Sequence, residues 1–227
     1  MRTIGLLGGM SWVSTTEYYR ILNQLTGRER SGHSAPLLLH SFDFAEVAAL
    51  QAAGSWDEAG DLLAGAAKGL EAAGAELLLI CTNTMHKVAP AVQAAVSVPL
   101  VHIVDATAER ARAAGLRTLG LLGTRFTMED GFYQERMRAH GLRVVVPGAA
   151  DRETVHRVIF EELCTGVTTE ASRQAYRQAI ARLVAAGAEG VVLGCTEIEL
   201  LVSQADSPVE VFATTRIHAE AAMTAAA

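Results

Sequence analysis

The chain has 227 residues, half of them hydrophobic and 19% charged, enough for one large domain or two small ones and too apolar for disorder to dominate. Its formal charge of −6, with no basic run, excludes nucleic acid as an expected partner, because phosphate binding needs clustered Lys and Arg. No apolar run approaches a membrane span, the glycine-rich opening Met1 to Gly9 is too short for a signal peptide, and three unpaired thiols suit a reducing, cytoplasmic setting.

In chain order, Thr3 to Leu7 reads as a strand and Ser14 to Leu25 as a helix opened by a capping box of Ser14 with Glu17. Leu37 to Ser41 is a second strand and Glu58 to Ala73 a helix. An apolar strand then runs to Cys81, followed by a helix from about His86 and a strand from Leu100 to Val104. The second half repeats the order: strand Thr118 to Leu122, helix Glu129 to Ala139, strand Arg143 to Val146, and helices Thr154 to Leu163 and Glu170 to Ala186. It closes with an apolar strand running to Cys195, a short helix, a strand Val209 to Phe212 and a final helix from Thr214.

Gly5-Leu-Leu-Gly recurs 115 residues on at Gly120, and Cys81 and Cys195 are 114 residues apart. Two independent spacings that agree within one residue argue for a duplicated unit. Strands alternating with helices, without hairpin signals, predict an α/β fold of two pseudo-symmetric lobes, each a parallel sheet flanked by helices. The expected division gives residues 1–104 with the C-terminal helix 213–227 to the first lobe and 105–212 to the second. Ligands in such folds bind beyond the carboxyl ends of the strands, so the expected site is the cleft between the lobes.

The two cysteines carry the chemistry. Each follows a glycine-led apolar run, Gly74-Ala-Glu-Leu-Leu-Leu-Ile-Cys81-Thr82 and Gly187-Ala-Glu-Gly-Val-Val-Leu-Gly-Cys195-Thr196, so each sits at the C-terminal edge of a buried strand. A helix starting just beyond would favour the thiolate and let the thiol exchange a proton near neutral pH. A single such cysteine more often fills a core; two in equivalent Cys-Thr contexts favour a functional pair. Cys164 lacks that context and reads as structural. His86, five residues after Cys81, reads either as a base for that thiol or as a structural residue, and no equivalent histidine follows Cys195. Trp12 and Trp56 read as packing or lid residues.

Several motifs are missing. There is no Gly-x-Gly-x-x-Gly after the first strand, so a dinucleotide site is poorly supported, and no Walker lysine loop, Cys-x-x-Cys, His-Glu-x-x-His or Gly-x-Ser-x-Gly appears.

Gly8-Gly9-Met10-Ser11, Cys81-Thr82-Asn83-Thr84-Met85-His86, Leu121-Leu122-Gly123-Thr124 with Thr127, and Gly194-Cys195-Thr196-Glu197-Ile198 together resemble the aspartate/glutamate racemase family. The resemblance runs the length of the chain, through Ser41-Phe42-Asp43-Phe44, Phe160 to Cys164 and Ile217-His218-Ala219-Glu220. It looks closest to the branch with the broad-specificity amino-acid racemases. It implies a cofactor-independent amino-acid racemase, a homodimer, with Cys81 and Cys195 as acid/base residues on opposite sides of the substrate α-carbon. It further implies that Met10, Gln51, Thr82, Asn83, Thr84, Thr124 and Thr196 line the substrate site, and that Glu197 either tunes its neighbouring thiol or accepts helix-start N–H bonds. Helix N-termini are suited to holding an α-carboxylate. No basic partner for a substrate side-chain carboxylate is evident: Arg125 and Lys87 lie near the motifs, and either reads equally as a solvated surface charge.

Two other readings stand beside this one. A related reaction through an enolate-like intermediate (hydantoin racemisation, maleate isomerisation or arylmalonate decarboxylation) would use the same scaffold, although decarboxylation needs only one thiol. A non-catalytic two-lobed protein that binds a small acid would need neither.

Overall fold

The computed structural model describes residues 1–227 and divides into two compact units, Met1–Ile103 with His218–Ala227, and Val104–Ile217. Each unit contains one four-stranded sheet, and every strand pairing in both is parallel.

In the first unit the strands are β1 (Ile4–Gly8), β2 (Leu37–Ser41), β3 (Leu77–Ile80) and β4 (Leu100–Val101), in the order β2-β1-β3-β4. In the second they are β5 (Thr118–Gly123), β6 (Arg143–Val145), β7 (Gly190–Gly194) and β8 (Glu210–Ala213), in the order β6-β5-β7-β8. The duplication read from the glycine and cysteine spacings is thus a repeated topology: β1 corresponds to β5, and β3 to β7.

Central strands covered on both faces explain the continuous apolar runs. Leu78 and Ile80 of β3 share a core with Leu63, Ala67 and Leu70 of α3 (Trp56–Ala72) and Val92 of α4 (Ala89–Ala95). Leu77, Leu79 and the following Cys81 project to the opposite face, in a core with Tyr18 and Leu22 of α1 (Trp12–Glu29) and Ala219, Ala222 and Met223 of the C-terminal helix. Alternation with period two therefore fixes which way the Cys81 side chain points. Fully burying one such leucine contributes about 1.5–3 kcal/mol.

The remaining helices follow the chain. Asp43 caps α2 (Phe44–Ala53) by accepting from the Ala45 N–H at 3.0 Å, and α5 (Ile103–Ala113) follows β4 directly. The second unit carries α6 (Arg125–Glu129), α7 (Phe132–Ala139), α8 (Ala149–Glu161) and α9 (Glu170–Ala185), and α10 (Thr214–Ala226) ends the chain. Neither α2 nor α5 was expected from the sequence, and the expected strand Leu100 to Val104 shortens to two residues. The division within α10 falls at His218 because its first turn is tied to the second unit: Thr214 Oγ1 donates to Leu193 O at 2.7 Å, and Thr215 donates from N and Oγ1 to Glu199 at 3.0 and 2.8 Å.

The capping box of Ser14 with Glu17 does not form. Gly9 lies at φ +84°, where a Cβ would come within 2.3 Å of Phe42 O, so only glycine lets the chain turn this tightly after β1. The helix consequently starts at Trp12 with Ser11 at its N-cap, which places Ser14 inside the first turn, and Glu17 pairs with Arg20 at 2.6 Å. No helix is long and apolar enough to cross a membrane.

Candidate functional site

The first unit builds its half of the site where β1 and β3 end. Leu7 pairs with Ile80, and Leu7 O accepts from the Cys81 N–H at 2.9 Å, so Gly8 leaves β1 beside Cys81. Cys81 is 1% exposed and unpaired. Ser14 Oγ lies 3.0 Å from Ser11 O and 3.4 Å from Cys81 O, bracing the start of α1 against the strand end. Thr82 and Asn83 lead into a 3₁₀ turn, Thr84–Val88, which runs on into α4. Gln51, from α2, is buried and donates through Nε2 to Met85 Sδ at 3.1 Å, and Met10 belongs to the same apolar core as Met85. Cys81, Thr82, Asn83 and Thr84 thus share one turn, with Gln51 anchored to it.

His86 is not a base for Cys81. Its Nε2 accepts from the Ile103 N–H at 3.2 Å, so the ring proton lies on Nδ1, which donates to Thr82 O at 2.7 Å. Both nitrogens are committed to backbone groups. Trp56 packs against the core of the first unit, and Lys87 Nζ stands 3.9 Å from its ring centroid in a cation–π contact. Trp12 is 70% exposed on α1.

The second unit repeats the strand-end arrangement with different chemistry. Gly123 pairs with Gly194, and a Cβ on Gly123 would meet Gly194 O at 2.9 Å, so both glycines let β5 and β7 finish in close register. Thr124 then caps α6, accepting from the Thr127 N–H at 3.3 Å. Cys195 starts a 3₁₀ turn, Thr196–Leu200. Its Sγ donates to Glu197 Oε2 at 3.0 Å, and Thr196 Oγ1 donates to the same oxygen at 2.8 Å. The Glu197 carboxylate is thus in direct contact with the thiol.

The expectation that a following helix would favour each thiolate is overturned. Burial pushes the Cys81 thiol well above its ordinary range. Burial, then the negative charge of Glu197, does the same to Cys195. Removing a charged sulfur from water costs more here than one short 3₁₀ turn returns. Both cysteines are therefore thiols in the free protein near neutral pH. Alkylation of the unliganded protein by iodoacetamide, mapped by mass spectrometry, is expected to be at least about tenfold slower at Cys81 and Cys195 at pH 7.5 than for an unperturbed thiol, and to keep rising beyond pH 9. Rapid labelling at pH 7.5 would contradict this.

Cys164, expected as a core residue, lies on a 3₁₀ turn, Leu163–Thr165, that packs against the Thr196–Leu200 turn, and its side chain is only partly buried. Its thiol is pushed up to about 12, by burial and then by the Glu197 charge. Tyr176, which sequence reasoning missed, is fully buried in the same neighbourhood, donating to Val155 O at 3.0 Å, and its hydroxyl is raised by burial and by charge at Cys195. In sequence it is one more large residue on the buried face of α9, with nothing to mark it. No group of three or more His, Cys, Asp or Glu is arranged to hold a metal ion.

Residues 7–222 match the family model for Asp/Glu/hydantoin racemases. Among solved structures, a candidate Asp/Glu racemase from Yersinia pestis is 52% identical, with all of this chain and 99% of that one covered and a TM-score of 0.93. An aspartate racemase homologue from Pyrococcus horikoshii is 38% identical over all of this chain and 99% of that one, with a TM-score of 0.85. The Picrophilus torridus aspartate racemase, at 20% identity and a TM-score of 0.79 over all of this chain and 94% of that one, shares the fold.

Proposed function

Because the chain belongs to the Asp/Glu/hydantoin racemase family, we propose that it inverts the α-carbon of amino acids with Cys81 and Cys195 as a thiol/thiolate pair and without pyridoxal phosphate. The observation that carries the reading is the repeated delivery of a buried, unpaired cysteine followed by threonine at the ends of β3 and β7, in two sheets of identical strand order. Inversion needs a proton removed from one face of the α-carbon and another supplied to the opposite face. A single base cannot do both without releasing its proton, whereas two thiols exchange roles according to the hand of the substrate.

The high proton affinity of both thiols fits this task. An isolated thiolate is disfavoured at each strand end, so one thiol gives up its proton to solvent only as the substrate ammonium arrives with the missing positive charge. The base is then strong, and it appears only when there is an α-proton to take. Glu197, bonded to Cys195 and Thr196, keeps that thiol oriented. The developing carbanion is stabilised by donors aimed at the α-carboxylate: in this proposal the N–H groups and side chains of Thr82, Asn83, Thr84, Thr124 and Thr196, with Met10 and Gln51 completing the lining. Substrates are aspartate, glutamate or a broader set. Lys87 is engaged with Trp56 and Arg125 is exposed, so neither favours strict acidic specificity. The protein acts as a cytoplasmic homodimer.

The family description also includes hydantoin racemases, which need the same two-faced proton transfer, so 5-substituted hydantoins belong in the test. Purified protein freed of pyridoxal phosphate is incubated in D₂O with a panel of L- and D-amino acids and hydantoins, and the enantiomers are separated by chiral chromatography with mass detection. The expected result is inversion of one or more amino acids, with deuterium at the α-carbon of the product and almost none in recovered substrate at early times, because each thiol carries one proton. Inversion of hydantoins alone would move the assignment to that substrate class. Equal labelling of substrate and product would overturn the two-thiol mechanism, and no inversion at all would overturn racemisation.

A further inference from the structure

We infer that His86 is a positioning residue for the proposed Cys81 base, acting through the orientation of the Thr82–Asn83 peptide; the inference deepens the racemase reading and rests on it. His86 is 2% exposed, and its side chain and backbone hold the catalytic turn at two points. Its Nδ1–H donates to Thr82 O at 2.7 Å and its backbone N–H donates to Asn83 O at 3.1 Å. The ring is anchored behind the turn by the Ile103 N–H at 3.2 Å, by His102 with ring centroids 4.6 Å apart, and by His218 with centroids 5.5 Å apart.

Because C=O and N–H of a trans peptide point in opposite directions, fixing Thr82 O on His86 turns the Asn83 N–H away from the imidazole. That is the orientation an N–H needs if it is to hold the substrate carboxylate beyond the strand end. The same bond fixes the residue next to Cys81, whose own N–H is already held by Leu7 O. The backbone is thereby tied on both sides of the sulfur-bearing carbon. The second unit has no counterpart: Thr196 is held through its hydroxyl by Glu197, a side chain on its own turn. The two strand ends thus carry different bonds at the threonine after the cysteine, a histidine to the carbonyl on one and a carboxylate to the hydroxyl on the other.

Two substitutions separate the bonds. In His86→Asn the side-chain amide can donate at the Nδ1 position and keep the Thr82 bond while losing the Ile103 bond. In His86→Gln the amide oxygen can accept at the Nε2 position and keep the Ile103 bond while losing the Thr82 bond. Positioning errors of about 1 Å cost roughly a hundredfold in rate, so His86→Gln is expected to lower kcat by about that factor, with a smaller rise in KM. His86→Asn should stay within about tenfold of the original protein. The pH profile of kcat/KM should keep its shape in both, because no titrating catalytic group is removed. Equal loss in the two variants, or loss of an acidic limb in both, would overturn the inference.

Alkylation of Cys81 provides an arm that needs no turnover. Its rate at pH 9 should change in His86→Gln and not in His86→Asn, whether or not the panel shows racemisation. A protein that inverts nothing, yet shows this difference, would refute the racemase reading while retaining the positioning role; no difference would refute the positioning role itself.

Discussion

Serine at position 81 or 195 is expected to lower inversion in both directions by roughly 10² to 10⁴-fold, the range typical of a general acid/base group. The substitution is close to isosteric, so the strand end is retained, but a hydroxyl gives up its proton far less readily than a thiol. His86 cannot substitute for Cys81, because both its nitrogens are bonded to backbone groups. Glu197 is within hydrogen-bond reach of Cys195, so Cys195→Ser should retain a seryl–carboxylate contact and fold normally while losing turnover. Loss in both directions is the discriminating feature, since each thiol is the base for one hand and the acid for the other. Cys164→Ser should cost much less, even though its turn packs against that of Cys195. The measurement is initial rates from each enantiomer for the three variants, with urea melts as the folding control. Equal losses at all three positions, accompanied by matching shifts in the melts, would reduce the effect to stability.

The parts of this fold that were legible in the sequence are those where burial on both faces left a continuous apolar signal. Leu77 to Ile80 and Gly190 to Gly194 read as strands because nothing polar can be tolerated there, and the cysteines could be located because they end those runs. Periodicity was less informative elsewhere. The segment Phe44–Ala53 is so rich in alanine and other apolar residues that its polar and apolar faces hardly contrast, and α2 was missed. Val101-His102-Ile103-Val104 reads as one strand, yet the chain leaves the sheet at Val101 and is helical from Ile103, so α5 was missed as well.

Around the candidate site, the residue types were legible and their partners were not. The bonds from Ser14 to Cys81 and from Ile103 to His86 span 67 and 17 residues, and no local pattern announces them. The thiol acidity was misread for a related reason. Sequence shows the polar residues that open a turn, whereas the dominant effect on the sulfur is the depth at which tertiary packing buries it, together with the carboxylate two positions on.

Acidification should destabilise the protein through a residue remote from the proposed chemistry. His218, on α10, is fully buried and makes two bonds: Nε2–H donates to Val101 O at 2.8 Å, which leaves Nδ1 to accept from the Tyr18 O–H at 2.8 Å. A second ring proton would remove the acceptor of the tyrosine hydroxyl and place a charge against the imidazole of His86, 5.5 Å away between centroids. Burial accordingly lowers the His218 pKa to about 4 from its ordinary 6.5. Between these values the unfolded chain binds a proton that the folded chain does not, so stability rises with pH across this window. The contribution is fully present above pH 6.5 and is lost as pH falls towards 4. Two and a half units correspond to about 3 kcal/mol, a substantial share of the 5–15 kcal/mol typical of a folded domain. Carboxylates titrate in the same range, so the readout is the difference between the original protein and His218→Gln, whose amide can donate to Val101 O and has no proton to gain. Urea midpoints measured from pH 7 to pH 4.5 should fall more steeply for the original protein than for the variant, even if the variant starts less stable at pH 7. Parallel slopes would mean that His218 is not the residue that titrates.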